Sequence, residues 1–176
     1  MKLIILYGAP GVGKYTIAKK LKQKTGYKLL HIHSIYDFLE DIFGKDKYEV
    51  SLSILQKTAL DIFINAAKEK LPGLIFTYAH LAENNFSFAK TIETKLKKYN
   101  SKIYFIHLAC DEKILEKRVV NKARKKFRKT KTTKELKYLL ATKNYQSSYR
   151  PNKNLKIDTS NISSQKIADQ ISKLLT

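Results

Sequence analysis

Residues 3–16 read LIILYGAPGVGKYT. A short apolar run from Leu3 to Tyr7 breaks into Gly8, Ala9, Pro10, Gly11, Val12, Gly13 and Lys14, after which Ile17, Ala18 and Leu21 recur at helical spacing. That order is strand, glycine loop, helix. Glycines suit such a loop because backbone N–H groups can turn inward around phosphate oxygens that a Cβ would obstruct, while the helix N-terminus adds the positive end of its dipole. Lys14 brings a mobile point charge for the outer phosphates. Gly8, Gly11, Val12, Gly13, Lys14, Tyr15 and Thr16 are therefore the candidate nucleotide-binding residues. One position departs from the strict pattern, which asks for Ser or Thr after the lysine as a Mg²⁺ ligand. Tyr15 stands there, with its hydroxyl too far from the backbone for that place, and Thr16 keeps a hydroxyl near the inner phosphate.

At 176 residues and 43% hydrophobic content, the chain suits one compact domain, 1–176. Cys110 is the only cysteine, so no intramolecular disulfide forms and a reducing, cytoplasmic setting is expected. Met1 and Lys2 lead straight into a strand, and no segment approaches the roughly 18 apolar residues of a membrane span. The net charge of +20 would suit nucleic acid or other polyanions and does not choose between them. It is built mostly of lysine; the arginines are Arg118, Arg124, Arg128 and Arg150. Since the guanidinium fork matches phosphate and a surface lysine is often only a solubilising charge, the arginines carry more weight.

Alternating elements follow the opening motif. Gly26 marks a helix end, and Tyr27 to Ile32 is expected as a strand followed by a helix from Ser34 to Phe43. Val50 to Ala67 has a helical apolar face, and Pro72-Gly73 precedes the strand Leu74–Tyr78. Residues 84–99 read as helix, Lys102 to Leu108 as strand, and Asp111 as the cap of a further helix. Thr132 and Glu135 have capping-box spacing for a helix reaching about Tyr149, Leu155 to Asp158 is a short strand, and Ile162 to Leu175 closes the chain as a helix. Five strands separated by helices imply an α/β parallel sheet covered on both faces, with ligands at the strand C-terminal ends.

The spacing GAPGVGK-x-T-x-x-A resembles the adenylate kinases and other nucleoside monophosphate kinase and shikimate kinase-like proteins. That resemblance implies a three-layer α/β/α P-loop NTPase fold with strand order 2-3-1-4-5, ATP and Mg²⁺ as cofactors, and a metal held largely through water. It gives no protein metal ligand by direct coordination. It also implies that the lysine- and arginine-rich connector, about 120–133, is a lid whose arginines close over the nucleotide phosphates. Arg124 and Arg128, one helical turn apart, would form the clamp, with Arg118 assisting. Asn152 to Asn154 and Asn161 would neighbour the purine.

The acceptor side centres on the end of the second strand. An aspartate near this place binds the accepting hydroxyl in shikimate kinase-like enzymes, and Asp37 is the matching candidate here. His33, one turn before it, could converge on the same point. The third strand ends in Phe76, Thr77, Tyr78 and Ala79, with no acidic residue, so Thr77 is the nearest polar group for substrate. The expected activity is transfer of the γ-phosphoryl group of ATP to a hydroxyl or phosphate of a small molecule. Two rivals stay open: a polynucleotide 5′-hydroxyl kinase or nucleic-acid-binding protein, favoured by the charge, and a non-catalytic nucleotide-binding switch, favoured by Tyr15 and the missing strand-end acid.

Overall fold

Strand β1 (Lys2–Tyr7) lies at the centre of the sheet, and its alternation divides the core into two layers. Leu3, Ile5 and Tyr7 face one layer while Ile4 and Leu6 face the other, each at most 1% exposed. A strand buried on both sides has no polar face, which is why its sequence is continuously apolar. This computed structural model describes residues 1–79, 86–121, 129–145, 149 and 155–175.

Helix α1 (Lys14–Thr25) follows β1 and ends on Gly26, whose left-handed backbone lets its N–H reach the Lys22 carbonyl. Next come β2 (Lys28–His31), α2 (His33–Phe43), a 3₁₀ turn (Lys45–Lys47), α3 (Tyr48–Lys68) and β3 (Gly73–Thr77). The chain continues through α4 (Phe86–Lys97), β4 (Lys102–Ala109), α5 (Glu112–Val119), α6 (Thr133–Thr142), β5 (Leu155–Asp158) and α7 (Ser164–Leu174). The five strands are parallel in the order β2-β3-β1-β4-β5, with Leu6 opposite Thr77 and Tyr7 opposite His107. Fold class and strand order thus match expectation. Layer one contains α3 and α4, with Leu55, Phe63, Phe88 and Ile92 against Leu3, Ile5 and Tyr7. Layer two contains α1, α5, α6 and α7, with Ile17, Leu21, Leu115, Leu136 and Ile171 against Ile4 and Leu6. Each such buried aliphatic contributes about 1.5–3 kcal/mol relative to exposure.

The caps read from sequence are formed. Asp111 accepts the N–H groups of Lys113 and Ile114, and Thr132 accepts that of Glu135, whose own carboxylate takes the N–H of Lys131. Helix α6 is shorter than its periodicity predicts, stopping at Thr142 rather than near Tyr149. Competing tertiary bonds explain the early stop. His107 Nε2 donates to the Tyr145 carbonyl, the Tyr149 N–H donates to the Tyr7 hydroxyl, and the Tyr149 hydroxyl donates to Glu93 at 2.5 Å. Among the described residues no helix is long and apolar enough to cross a membrane.

Candidate active site

The glycine loop sits where β1 ends and α1 begins, at the C-terminal edge of the sheet. Its glycines are required by geometry. Gly8 has φ of 140° and a Cβ there would lie 2.1 Å from the Leu108 carbonyl oxygen, so the loop is packed directly onto β4. Gly11 abuts Leu115 and Val119 of α5, whereas Gly13, at φ of 93°, meets only Ile17 at 3.7 Å and is required by backbone conformation alone. Lys14 curls back over the loop, Nζ donating to the carbonyls of Gly8 at 2.6 Å and Ala9 at 2.9 Å. Val12 is buried and anchors the loop in layer two.

On one side of the loop lies a cavity of about 410 Å³ lined by Gly11, Gly13, Thr16, Arg118, Asn121 and Thr159, among others. Thr16 is exposed towards this space. Arg118 is fixed there: Nη2 donates to the carbonyls of Thr159 at 2.8 Å and Ser160 at 3.3 Å, and Nη1 to Thr159 Oγ1 at 3.2 Å and Cys110 Sγ at 3.4 Å. It thus ties the end of α5 to the loop after β5. The structure places Arg118 in the lining of this cavity. Thr159 and Asn121 were not legible as site residues, since a lone threonine after a short strand carries no signal. Asn161 is exposed beside them.

On the other side, the end of β2 presents a histidine pair. His31 is buried, its Nδ1 bonded to Thr77 Oγ1 at 2.6 Å, and burial, followed by the charge of Lys129, drops its pKa to about 3. It is neutral at physiological pH. Thr77 also accepts the Ile32 N–H at 3.4 Å and is fully buried, so it supports His31 from behind instead of lining the cleft, where sequence had placed it. His33 Nδ1 donates to Asp37 Oδ1 at 2.8 Å, the convergence expected from their spacing, and their side chains remain 20% and 23% exposed, open to a ligand. Burial lowers the His33 pKa against the raising effect of Asp37; Lys129 and Lys14 lower it further. Tyr36 lies edge-on to His33 and 6.2 Å from Tyr48, which itself lies 5.6 Å from the Lys143 ammonium. Burial pushes the Tyr36 hydroxyl up to about 12, so it stays a donor. These tyrosines escaped sequence reading because aromatics at helical spacing look like core.

Tyr15 turns its ring onto His31, with centroids 4.3 Å apart. No group of three or more His, Cys, Asp or Glu poised to hold a metal occurs among the described residues. Arg124, Arg128 and Asn152 to Asn154 lie outside the described residues.

Solved structures share this fold over nearly the whole chain. A sugar kinase from a Janibacter species superposes with a TM-score of 0.71 at 14% identity, covering 99% of this chain and 94% of that one. A shikimate kinase from Acinetobacter baumannii, in complex with shikimate, superposes with a TM-score of 0.64 at 19% identity over 98% of this chain and 92% of that one. The fold is that of the P-loop kinases. Within sequence, the cytidylate kinase of Ignicoccus hospitalis is 29% identical over 83 residues, 46% of this chain and 48% of that enzyme. The match thus spans about half the length of that curated relative. No protein-family profile matches the chain.

Proposed function

We propose that this chain is a P-loop kinase that transfers the γ-phosphoryl group of ATP, with Mg²⁺, to a hydroxyl of a small molecule. The observation that carries this reading is the chain of ring contacts that links the phosphate loop to the His33–Asp37 pair: Tyr15, next to Lys14, stacks on His31 at 4.3 Å, and His31 lies 5.2 Å from His33. A phosphate-holding cation and a carboxylate able to orient a hydroxyl are the two groups that in-line transfer needs.

In this reading the loop and Lys14 hold the β- and γ-phosphates, and the cavity beside Arg118 takes the nucleoside. Asp37 accepts the proton-bearing side of the acceptor hydroxyl while His33 fixes the carboxylate. The acceptor oxygen forms a bond to the γ-phosphorus, the bond to the bridging oxygen breaks, ADP leaves with that electron pair, and the hydroxyl proton passes to Asp37. Bound Mg²⁺ would neutralise phosphate charge, held by nucleotide oxygens and water, with Thr16 the nearest hydroxyl. A direct carboxylate ligand at the end of β3 has no counterpart here, since Thr77 and Tyr78 occupy it.

The sugar kinase and shikimate kinase folds among the similar structures favour a small hydroxylated acceptor over a polynucleotide. The test is ADP release from Mg²⁺–ATP over a panel of sugars, cyclic polyols, nucleosides, nucleoside monophosphates and a 5′-hydroxyl oligonucleotide. Release that depends on a small hydroxylated acceptor and disappears in Lys14→Ala supports the reading. Release with the oligonucleotide alone makes the chain a polynucleotide kinase, and ATP binding without release makes it a switch.

A further inference from the structure

Tyr15 stands where the strict phosphate-loop pattern asks for a metal-ligating hydroxyl, and the structure turns its ring onto the end of β2. The planes of Tyr15 and His31 are 28° apart, with centroids at 4.3 Å. Tyr15 rides on the first turn of α1 directly after Lys14, so its place is set by the loop that this helix continues. A serine or threonine there would have no ring face to offer.

The contact does not stop at His31. Its imidazole lies 5.2 Å from that of His33, tilted by 52°, and His33 Nδ1 bonds Asp37. Both groups ride on α2, whose N-cap is Ile32, a residue with no side-chain oxygen to cap the helix. The start of α2 is held from the sheet instead: Thr77 Oγ1, on β3, bonds His31 Nδ1 and accepts the Ile32 N–H. His31 therefore joins three parts of the site, β3 through Thr77, the phosphate loop through Tyr15, and α2 through His33.

In-line transfer depends on the distance between the acceptor oxygen and the γ-phosphorus, and a misplacement of about 1 Å can cost about 10²-fold in rate. Contacts running from the residue beside Lys14 to the Asp37 carboxylate tie the two sides together.

We propose that Tyr15 is a positioning residue for the acceptor side: by its stack on His31 it fixes the His33–Asp37 pair relative to the phosphate loop. This rests on the kinase reading above and goes beyond it by assigning the tyrosine to the transfer step, not to nucleotide affinity.

The experiment sets steady-state ADP release, on the best acceptor of the panel above, beside ATP affinity by calorimetry. The proteins are wild type, Lys14→Ala, Tyr15→Phe, Tyr15→Leu, His33→Gln and the Tyr15→Leu/His33→Gln double variant, with melting temperatures to check that each folds. Tyr15→Leu should lower kcat about tenfold and leave ATP affinity within about twofold. Tyr15→Phe keeps the ring and should hold kcat within about threefold of wild type. The double variant should match His33→Gln within about twofold, because without that imidazole the tyrosine has nothing to act through. A kcat unchanged in Tyr15→Leu, an equal loss in Tyr15→Phe, an ATP affinity that falls as far as kcat, or losses that multiply in the double variant would each overturn the proposal. If any of these appears while Lys14→Ala abolishes release, the kinase reading survives and this inference fails. If wild type releases no ADP, or Lys14→Ala releases it as wild type does, both fall.

Discussion

His33 and Asp37 meet across one turn of α2, imidazole nitrogen to carboxylate oxygen at 2.8 Å. The bond holds the carboxylate in one orientation, as the proposed base requires. Asp37→Asn keeps size and hydrogen bonding but cannot take a proton. It should lower turnover by about 10²–10⁴ with ATP affinity nearly unchanged. His33→Gln should cost less. Steady-state ADP release checks both, and an equal loss of ATP affinity in Asp37→Asn would show that the carboxylate serves the nucleotide.

Stability should fall as the solution is acidified below neutrality. The folded pKa of His31, about 3, lies below its ordinary 6.5, so the unfolded chain binds a proton that the folded chain does not. The contribution is fully present above about pH 6.5 and is lost progressively as pH falls toward 3. His33 and His107 are lowered in the same direction. Denaturant unfolding at pH 7.5 and 5.0 should show up to about 2 kcal/mol lost through His31. His31→Gln should remove that share, and an unchanged difference between the two pH values would refute the assignment.

Gly8 and Gly13 should respond differently to alanine. At Gly8 the added Cβ collides with the Leu108 carbonyl, so Gly8→Ala should cost roughly 3 kcal/mol or more. Gly13→Ala meets only the Ile17 side chain, at an ordinary contact distance of 3.7 Å, and should cost about 1–2 kcal/mol from backbone conformation alone. Thermal melts give the comparison; equal costs would mean that the loop shifts away from β4.

Arg118→Ala should weaken ATP about tenfold by releasing the loop that carries Thr159 and Ser160. Arg118→Lys should not restore it, because an ammonium cannot span oxygens reached by two guanidinium nitrogens. Full recovery in the lysine variant would reduce the role to charge.

The parts of the site that depend on local spacing were readable from sequence: the glycine loop, the lysine, the turn joining His33 to Asp37, and the caps at Asp111 and Thr132. What could not be read depends on distant chain segments meeting. Thr77 looked like a substrate contact because it ends a central strand, yet His31 from the neighbouring strand covers it. Lys129 looked like one lysine of many, and only the fold brings it to Tyr15. The extent of α6 failed for the same reason, since periodicity cannot report that Tyr7 and His107 capture the following chain.

Arg118 holds the loop after β5 with hydrogen bonds to three oxygens, and the basic connector departs just beyond it. At its far end the same connector returns at Lys129 beside buried Thr130. Arg118 before it and Thr130 after it are thus each fixed by other parts of the fold. Inserting or deleting residues between these two points should therefore leave both attachments in place.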